Sequence, residues 1–293
     1  YDITPIRKTT TNGVTFSATD GSSTITATDS GHGASVGDFV TFSDAVSLGG
    51  LVTAAVLNQE YEIVSVPTGN TYTFTAKDTG GTTVIANASD SGNGGAAVDG
   101  VYQINAGLNT GVGGNGWGAG TWGRGTWGSS TTISVVTSLR VWSQDNFGED
   151  LLINPRDSSI YHWDKTNGVT TRAVEISSIA GANECPTIAK QVMVSDVDRH
   201  VIAFGANPLG SQEQDPLLIR FSDQESFLDW NPTSTNTAGD LRIGSGSKFV
   251  KAIETKREII IITDSSVHSM QFIGAPFTFG IQPIASNTTI MGP

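Results

Sequence analysis

Ile259-Ile260-Ile261-Ile262-Thr263 runs into Asp264-Ser265-Ser266 and out again through Val267-His268-Ser269-Met270. Branched side chains fit a pleated surface, and Asp and Ser close tight turns through their own hydrogen bonds, so this stretch spells a β-hairpin. The pattern already occurs 107 residues earlier, where Leu151-Leu152-Ile153 enters Asp157-Ser158-Ser159 and leaves through Ile160-Tyr161-His162-Trp163. A third copy enters at Val192-Met193-Val194, turns through Asp196-Val197-Asp198-Arg199 and leaves through Val201-Ile202-Ala203-Phe204. Separations near 40 and 66 residues fit the blades of a β-propeller, in which a four-stranded sheet recurs roughly every 40–50 residues. Residues 138–293 then hold about three blades. A closed ring typically needs four or more, so either further blades lie outside this segment or the architecture is an open sandwich.

Composition agrees with an all-β chain. Gly, Thr and Ser supply 101 of the 293 residues, and charged residues only 15%. Helix-rich folds lean instead on Ala, Leu, Glu, Lys and Gln. The apolar share of 37%, with 12 Phe and 6 Trp, is enough for a buried core and excludes an acidic disordered tail. The net charge of −12 argues against tight, charge-driven nucleic-acid binding, which needs Lys and Arg to displace phosphate counterions. Residues 1–139 carry 10 acids and 4 bases and the remainder 18 and 12, so each part nets −6 and neither is a basic arm. No apolar run approaches the 18–20 residues of a membrane-spanning helix. The single cysteine, Cys185, excludes an internal disulfide.

Upstream of the hairpins, residues 13–106 form a second β region. Its strand-forming runs are Thr24–Thr28, Phe39–Phe42, Tyr61–Val66 and Thr71–Thr75, separated by Gly31-His32-Gly33, Pro67-Thr68-Gly69-Asn70 and Asp78-Thr79-Gly80-Gly81. Short strands at this density predict a small inserted β-barrel or β-sandwich. Residues 1–12 read as the end of an earlier propeller strand, which favours a chain cut from a longer one. Between the regions, residues 107–137 form a Gly/Trp-rich seam in which Trp117, Trp122 and Trp127 stand five apart, each followed by Gly. A period of five fits neither a helix face nor a strand face. These indoles are expected to pack within the chain, at a subunit interface, or as a platform for glycan.

Catalytic chemistry finds little footing. Asp223, Glu225, Asp229 and Asp240 make the most acid-rich stretch, and a glycosidase needs two carboxylates across one bond. The plainer expectation is that Asp223 and Asp229, like Asp157 and Asp264, cap turns by accepting nearby backbone N–H bonds. Asp196, Asp198 and Asp240 offer oxygen ligands for Ca²⁺, without the glycine and distal Glu of an EF-hand loop. His32, His162, His200 and His268 form no close metal pair, and His162 and His268 sit at matching hairpin positions, as a repeated packing role requires. Gly244-Ser245-Gly246-Ser247-Lys248 has a glycine-loop flavour at the wrong spacing for phosphate. Lys248, Lys251, Lys256 and Arg257, interrupted by Glu254 and Glu258, are the only basic cluster and suit a solvated strand edge. The expectation is a non-enzyme with no cofactor and no metal.

A family resemblance rests on several stretches together. Trp142-Ser143-Gln144-Asp145-Asn146-Phe147-Gly148-Glu149-Asp150-Leu151-Leu152-Ile153 with Ile160-Tyr161-His162-Trp163-Asp164 resembles tail virion proteins of short-tailed bacteriophages. Arg220-Phe221-Ser222-Asp223 with Asp229-Trp230-Asn231-Pro232-Thr233 and Asn236–Asp240 is similar to the same group, as are Thr263–Val267 and Phe272–Gly280. The resemblance covers residues 107–293 and is to the tail nozzle, or packaged-DNA stabilisation, type. It implies a β-propeller subunit of the virion, six copies of which form a ring below the portal and adaptor. That ring encloses the channel through which DNA passes without sequence-specific binding. The stretch His32–Phe42 is similar to small β-modules inserted in phage structural proteins. The competing expectation is a glycan- or receptor-binding tail adhesin using Trp117, Trp122 and Trp127.

Overall fold

A computed structural model describes residues 2–88, 93–104, 141–196, 198–274, 277–290 and 292. Trp117, Trp122 and Trp127 lie outside the described residues. The chain divides into two compact units, one of residues 6–140 and one joining residues 1–5 to 141–293. Both are β-built. Among the described residues the single α-helical turn is Ala54–Leu57.

The first unit's strands are β1 (Ile6–Thr10), β2 (Thr15–Ala18), β3 (Thr24–Thr28), β4 (Phe39–Ser43), β5 (Glu60–Glu62), β6 (Ser65–Thr68), β7 (Thr71–Thr75) and β8 (Asp99–Gln103). They form two antiparallel sheets, ordered β1-β8-β4-β5 and β2-β3-β7-β6. Alternation decides the faces. Ile25, Ala27, Tyr72 and Phe74 are buried, while Thr24, Thr26, Thr28, Thr71, Thr73 and Thr75 alternate with them on the outer side. Phe16 meets Phe42 edge-on at 4.8 Å, and Tyr61 lies 4.3 Å from Phe74. Tyr102 donates to Asp29 Oδ2 at 2.6 Å and shares a 2.8 Å hydrogen bond with Tyr72. Burial, with Tyr72 and Asp29 close by, pushes the Tyr102 phenol well above its usual pKa. Two sequence expectations change here. Ile6–Thr10, expected as the end of an earlier propeller strand, pairs with β8 inside this module. The run Tyr61–Val66 is not one strand, because Ile63 N–H bonds Asp38 O and the chain then passes to the other sheet.

The second unit comprises three four-stranded antiparallel meanders. The first contains β9 (Trp142–Phe147), β10 (Asp150–Pro155), β11 (Tyr161–Trp163) and β12 (Val174–Glu175). The second contains β13 (Gln191–Val194), β14 (Val201–Phe204), β15 (Leu218–Phe221) and β16 (Gly239–Arg242). The third contains β17 (Phe249–Glu254), β18 (Ile259–Thr263), β19 (Ser266–Gly274) and β20 (Thr278–Ser286). Each sheet keeps chain order from edge to edge, the connectivity of a propeller blade. The middle sheet is buried on both faces: Val192, Val194, Val201 and Ala203 pack with Leu152 and Ile160 of the first sheet. Met193, Ile202, Phe204 and Phe221 pack with Phe249, Ile261 and Phe279 of the third. That explains the unbroken apolar runs of β13 and β14, which alternation alone would not produce.

The hairpin repeat needs one correction. Asp157-Ser158-Ser159 and Asp264-Ser265-Ser266 both join the second and third strands of a sheet, whereas Asp196–Arg199 joins the first and second. Their spacing therefore mixed two kinds of turn. The first strands begin at Trp142, Gln191 and Phe249, which gives blade periods of 49 and 58 residues.

Candidate functional site

A first strand at a sheet edge exposes alternate N–H and C=O groups that need partners. Here neighbouring sheets supply them through side chains. Ser143 Oγ accepts from Val192 N–H at 3.0 Å, and Asp145 Oδ2 accepts from Val194 N–H at 2.9 Å. Gln191 then repeats the device one sheet further on, its Oε1 accepting from Ala252 N–H at 3.0 Å and its Nε2 donating to Ala252 O at 2.9 Å. Steps of two residues on β9 match steps of two on β13, so these two first strands run parallel, side by side, and Gln191 extends the seam to β17.

The two ends of the seam differ. At its start Arg156 reaches from the first sheet to the third, donating to Phe249 O and Val250 O at 3.3 Å each. At its finish Glu254 Oε1 accepts from Asp196 N–H at 3.0 Å. Burial pushes the Glu254 carboxyl up; the Asp196 amide pulls it down, and the negative charges of Asp196, Asp145 and Asp198 raise it further. Like-charged carboxylates thus gather where β9, β13 and β17 end, beside Arg199, which pairs with Glu225 at 2.9 Å.

The acids expected to cap turns do more varied work. Asp157 holds φ +60° at its turn, and its Oδ1 accepts from Lys190 Nζ at 2.6 Å and Gln214 Nε2 at 3.1 Å, linking sheets rather than closing its own hairpin. Burial raises its carboxyl, but the bonds from Lys190 and Gln214 and the two nearby cations hold it below the usual range. Asp223 Oδ1 binds Thr237 N–H at 2.8 Å and its hydroxyl at 2.7 Å, fourteen residues on. Asp229 does cap its turn, accepting from Asn231 N–H at 3.3 Å, and it also accepts from Asn183 and Asn236. Asp264 leaves its own hairpin to Thr263, whose Oγ1 accepts from Ser266 N–H at 2.9 Å. Its carboxylate instead enters the Gly244–Lys248 loop, where Ser247 N–H, at 2.8 Å, and the Ser247 hydroxyl donate to it. Gly246, at φ +99°, permits this wrap, since a Cβ there would lie 2.6 Å from Thr263 Oγ1 and 2.9 Å from Asp264 Oδ1. The glycine-rich loop, already at the wrong spacing for phosphate, is a nest for the protein's own carboxylate.

Other sequence candidates disperse. Among the described residues no three of His, Cys, Asp or Glu gather as metal ligands; Asp240 lies on β16, whereas Asp196 and Asp198 stand between β13 and β14. His162 bonds Asp150 at 3.1 Å and stacks on Phe227, while His268 bonds Ser245 and Ser266, so their matching positions carry different contacts. His200 lies buried against Phe221 and Phe279, and burial lowers its pKa. Burial raises the Cys185 thiol to about 11. Lys248 precedes β17 while Lys256 and Arg257 follow it, so the basic cluster is split along a strand about 20 Å long. Gln191, Arg156 and Arg220 were missed. Their only signal was a polar residue beside an apolar run, as in Lys190-Gln191-Val192 and Leu218-Ile219-Arg220-Phe221.

No protein-family model and no curated protein matches the chain. Among solved structures it is similar to the phage phi92 endosialidase, at 12% identity and a TM-score of 0.26 over 90% of this chain. It spans 35% of the length of that protein. A likeness at that level carries no weight for fold, activity or partners. Among the described residues no helix is long and apolar enough to cross a membrane.

Proposed function

We propose that the chain is a structural subunit of a bacteriophage tail, of the nozzle type, and that it works in a ring through which DNA leaves the virion. The observation that carries this reading is the seam in which side chains join β9, β13 and β17. Sheets joined at their first strands by side chains suit the inner wall of a conduit, because the backbone groups engaged there are not open to other chains. Carboxylates at one end of that seam favour DNA passage without adhesion, since negative walls repel phosphate. The partners in this reading are further copies of the chain, six to a ring, and the tail adaptor.

The reading is non-enzymatic and assigns no cofactor. Engagement of Asp223 by Thr237, and of Asp229 by Asn183, Asn231 and Asn236, supports structural roles for the carboxylates a glycosidase would have used. Native mass measurement with class-averaged electron microscopy, with and without tail-adaptor protein, is the test. Six-fold rings, alone or on the adaptor, are expected. A monomer or trimer that never joins a tail assembly would overturn the assignment.

A further inference from the structure

Arg220 stands on the third strand of the middle sheet, only 3% exposed. Its guanidinium has no carboxylate partner among the described residues. Nη2 donates to Glu184 O at 2.6 Å and Trp230 O at 3.2 Å, and Nη1 to Asn207 O at 3.4 Å. A guanidinium carries five N–H donors, so one on Nη1 and the one on Nε are left without a protein acceptor among those residues. The negative charges of Asp240 and Glu184 lie near enough to offset part of the cost of burying this cation, and three backbone carbonyls engage only part of its donor set. The rest borders a cavity of about 240 Å³, which Arg220 lines together with Pro208, Leu209, Pro232 and Asp240.

The lining defines the guest. Asp240 pairs with Arg220 across β15 and β16 but is solvent-exposed, so it stands at the rim while Arg220 stands at the floor. Donors at the floor call for an acceptor oxygen, and a carboxylate at the rim for a hydroxyl or amide donor. Two prolines and Leu209, which is half exposed, offer apolar walls. A free anion would satisfy Arg220 yet face Asp240 in a half-chain that is itself net negative. A neutral sugar ring meets every requirement at once, with hydroxyls that both accept and donate at its edge and C–H groups on its faces. We propose that this cavity is a binding site for a single neutral pyranose unit, Arg220 receiving a ring or hydroxyl oxygen and Asp240 a hydroxyl proton. The site stands independently of the conduit reading, because it needs neither a ring nor DNA.

The test is saturation-transfer NMR and calorimetric titration of the 293-residue chain with methyl α-glucopyranoside and N-acetylglucosamine. Acetate and inorganic phosphate at matched ionic strength are the competitors. For so small a ligand a dissociation constant of millimolar order is expected. Asp240→Asn and Leu209→Asp, both at exposed positions, are expected to weaken binding at least about fivefold, because each removes a rim contact; the melting temperature should hold for Leu209→Asp, whereas Asp240→Asn also takes a negative charge from beside Arg220. Arg220→Met is a poorer probe, since three carbonyls depend on that side chain for folding. Absence of saturable binding at about 50 mM sugar would overturn the proposal. So would binding indifferent to both rim substitutions, or displacement of sugar by acetate or phosphate, which would make the cavity an anion site.

Discussion

Gln191→Leu tests the seam most directly. Leucine nearly conserves the volume of this buried side chain, so the change subtracts polarity rather than packing. What is lost is a bidentate pair, 3.0 Å to Ala252 N–H and 2.9 Å to Ala252 O. Each bond contributes about 1 kcal/mol net, and a buried N–H or C=O left dry costs roughly 1–3 kcal/mol more. With partial hydration of Ala252 the sum is about 3–5 kcal/mol. At roughly 2–4 °C per kcal/mol for a unit of this size, the melting temperature falls by about 6–20 °C. Calorimetry measures the shift, and amide hydrogen exchange at Ala252 locates it. Gln191→Glu separates hydrogen bonding from packing, because a carboxylate can still accept from Ala252 N–H but opposes Ala252 O. It should recover stability as the pH falls and the carboxyl protonates. A Gln191→Leu variant within about 0.5 kcal/mol of the parent, with unchanged exchange at Ala252, would refute the idea that the first strands are sealed by side chains.

Three further outcomes are expected. Gly246→Ala sets a Cβ against Thr263 and Asp264 at φ +99°; it should cost at least about 1–2 kcal/mol for the backbone alone and raise the Asp264 carboxyl, which the Ser247 hydroxyl and N–H hold below the ordinary range, as an NMR titration would reveal. Glu254→Gln should stabilise the chain near neutral pH. A carboxyl whose folded pKa is raised destabilises only once it ionises, so in denaturant melts the gain should vanish below the ordinary carboxylate range and grow as pH rises through the raised value. A constant gain at all pH values would count against it. Tyr102→Phe removes a 2.6 Å donor from the buried Asp29 carboxylate, and a loss of about 1.5–3 kcal/mol in the first unit's unfolding free energy is expected.

Much of the fold was legible because it lies in local pattern. Thr24–Thr28 and Thr71–Thr75 alternate polar and apolar residues and are paired strands with one buried face. The two Asp-Ser-Ser turns occupy the same place in their sheets. The third hairpin misled because β13 and β14, buried on both faces, look alike whichever pair of blade strands they represent. Ile6–Thr10 misled for a different reason: a strand's period says nothing about which sheet accepts it, and its partner, β8, lies some 90 residues away. The site was less legible. Ser143, Asp145 and Gln191 act on backbone atoms 49 to 61 residues distant, and a backbone acceptor leaves no imprint on residue identity. Asp264 was visible as a turn residue, but its attachment to Ser247 depends on two loops meeting in space.

The discontinuous make-up of the second unit also orders events during synthesis. Asp2 pairs with Arg172 at 2.5 Å, and Ile3 O accepts from Ala173 N–H at 3.2 Å. These contacts of Asp2 and Ile3 cannot form until the chain near residue 173 has been made, about 170 residues later, which at roughly 5–20 residues per second is on the order of ten seconds or more. The strands of the first unit emerge within that interval and can pair completely among themselves. Residues 2–5 must therefore wait for these contacts while an entire module matures between them and residue 173, so a pause in synthesis before residue 173 would leave that module finished with its flanking segment not yet docked.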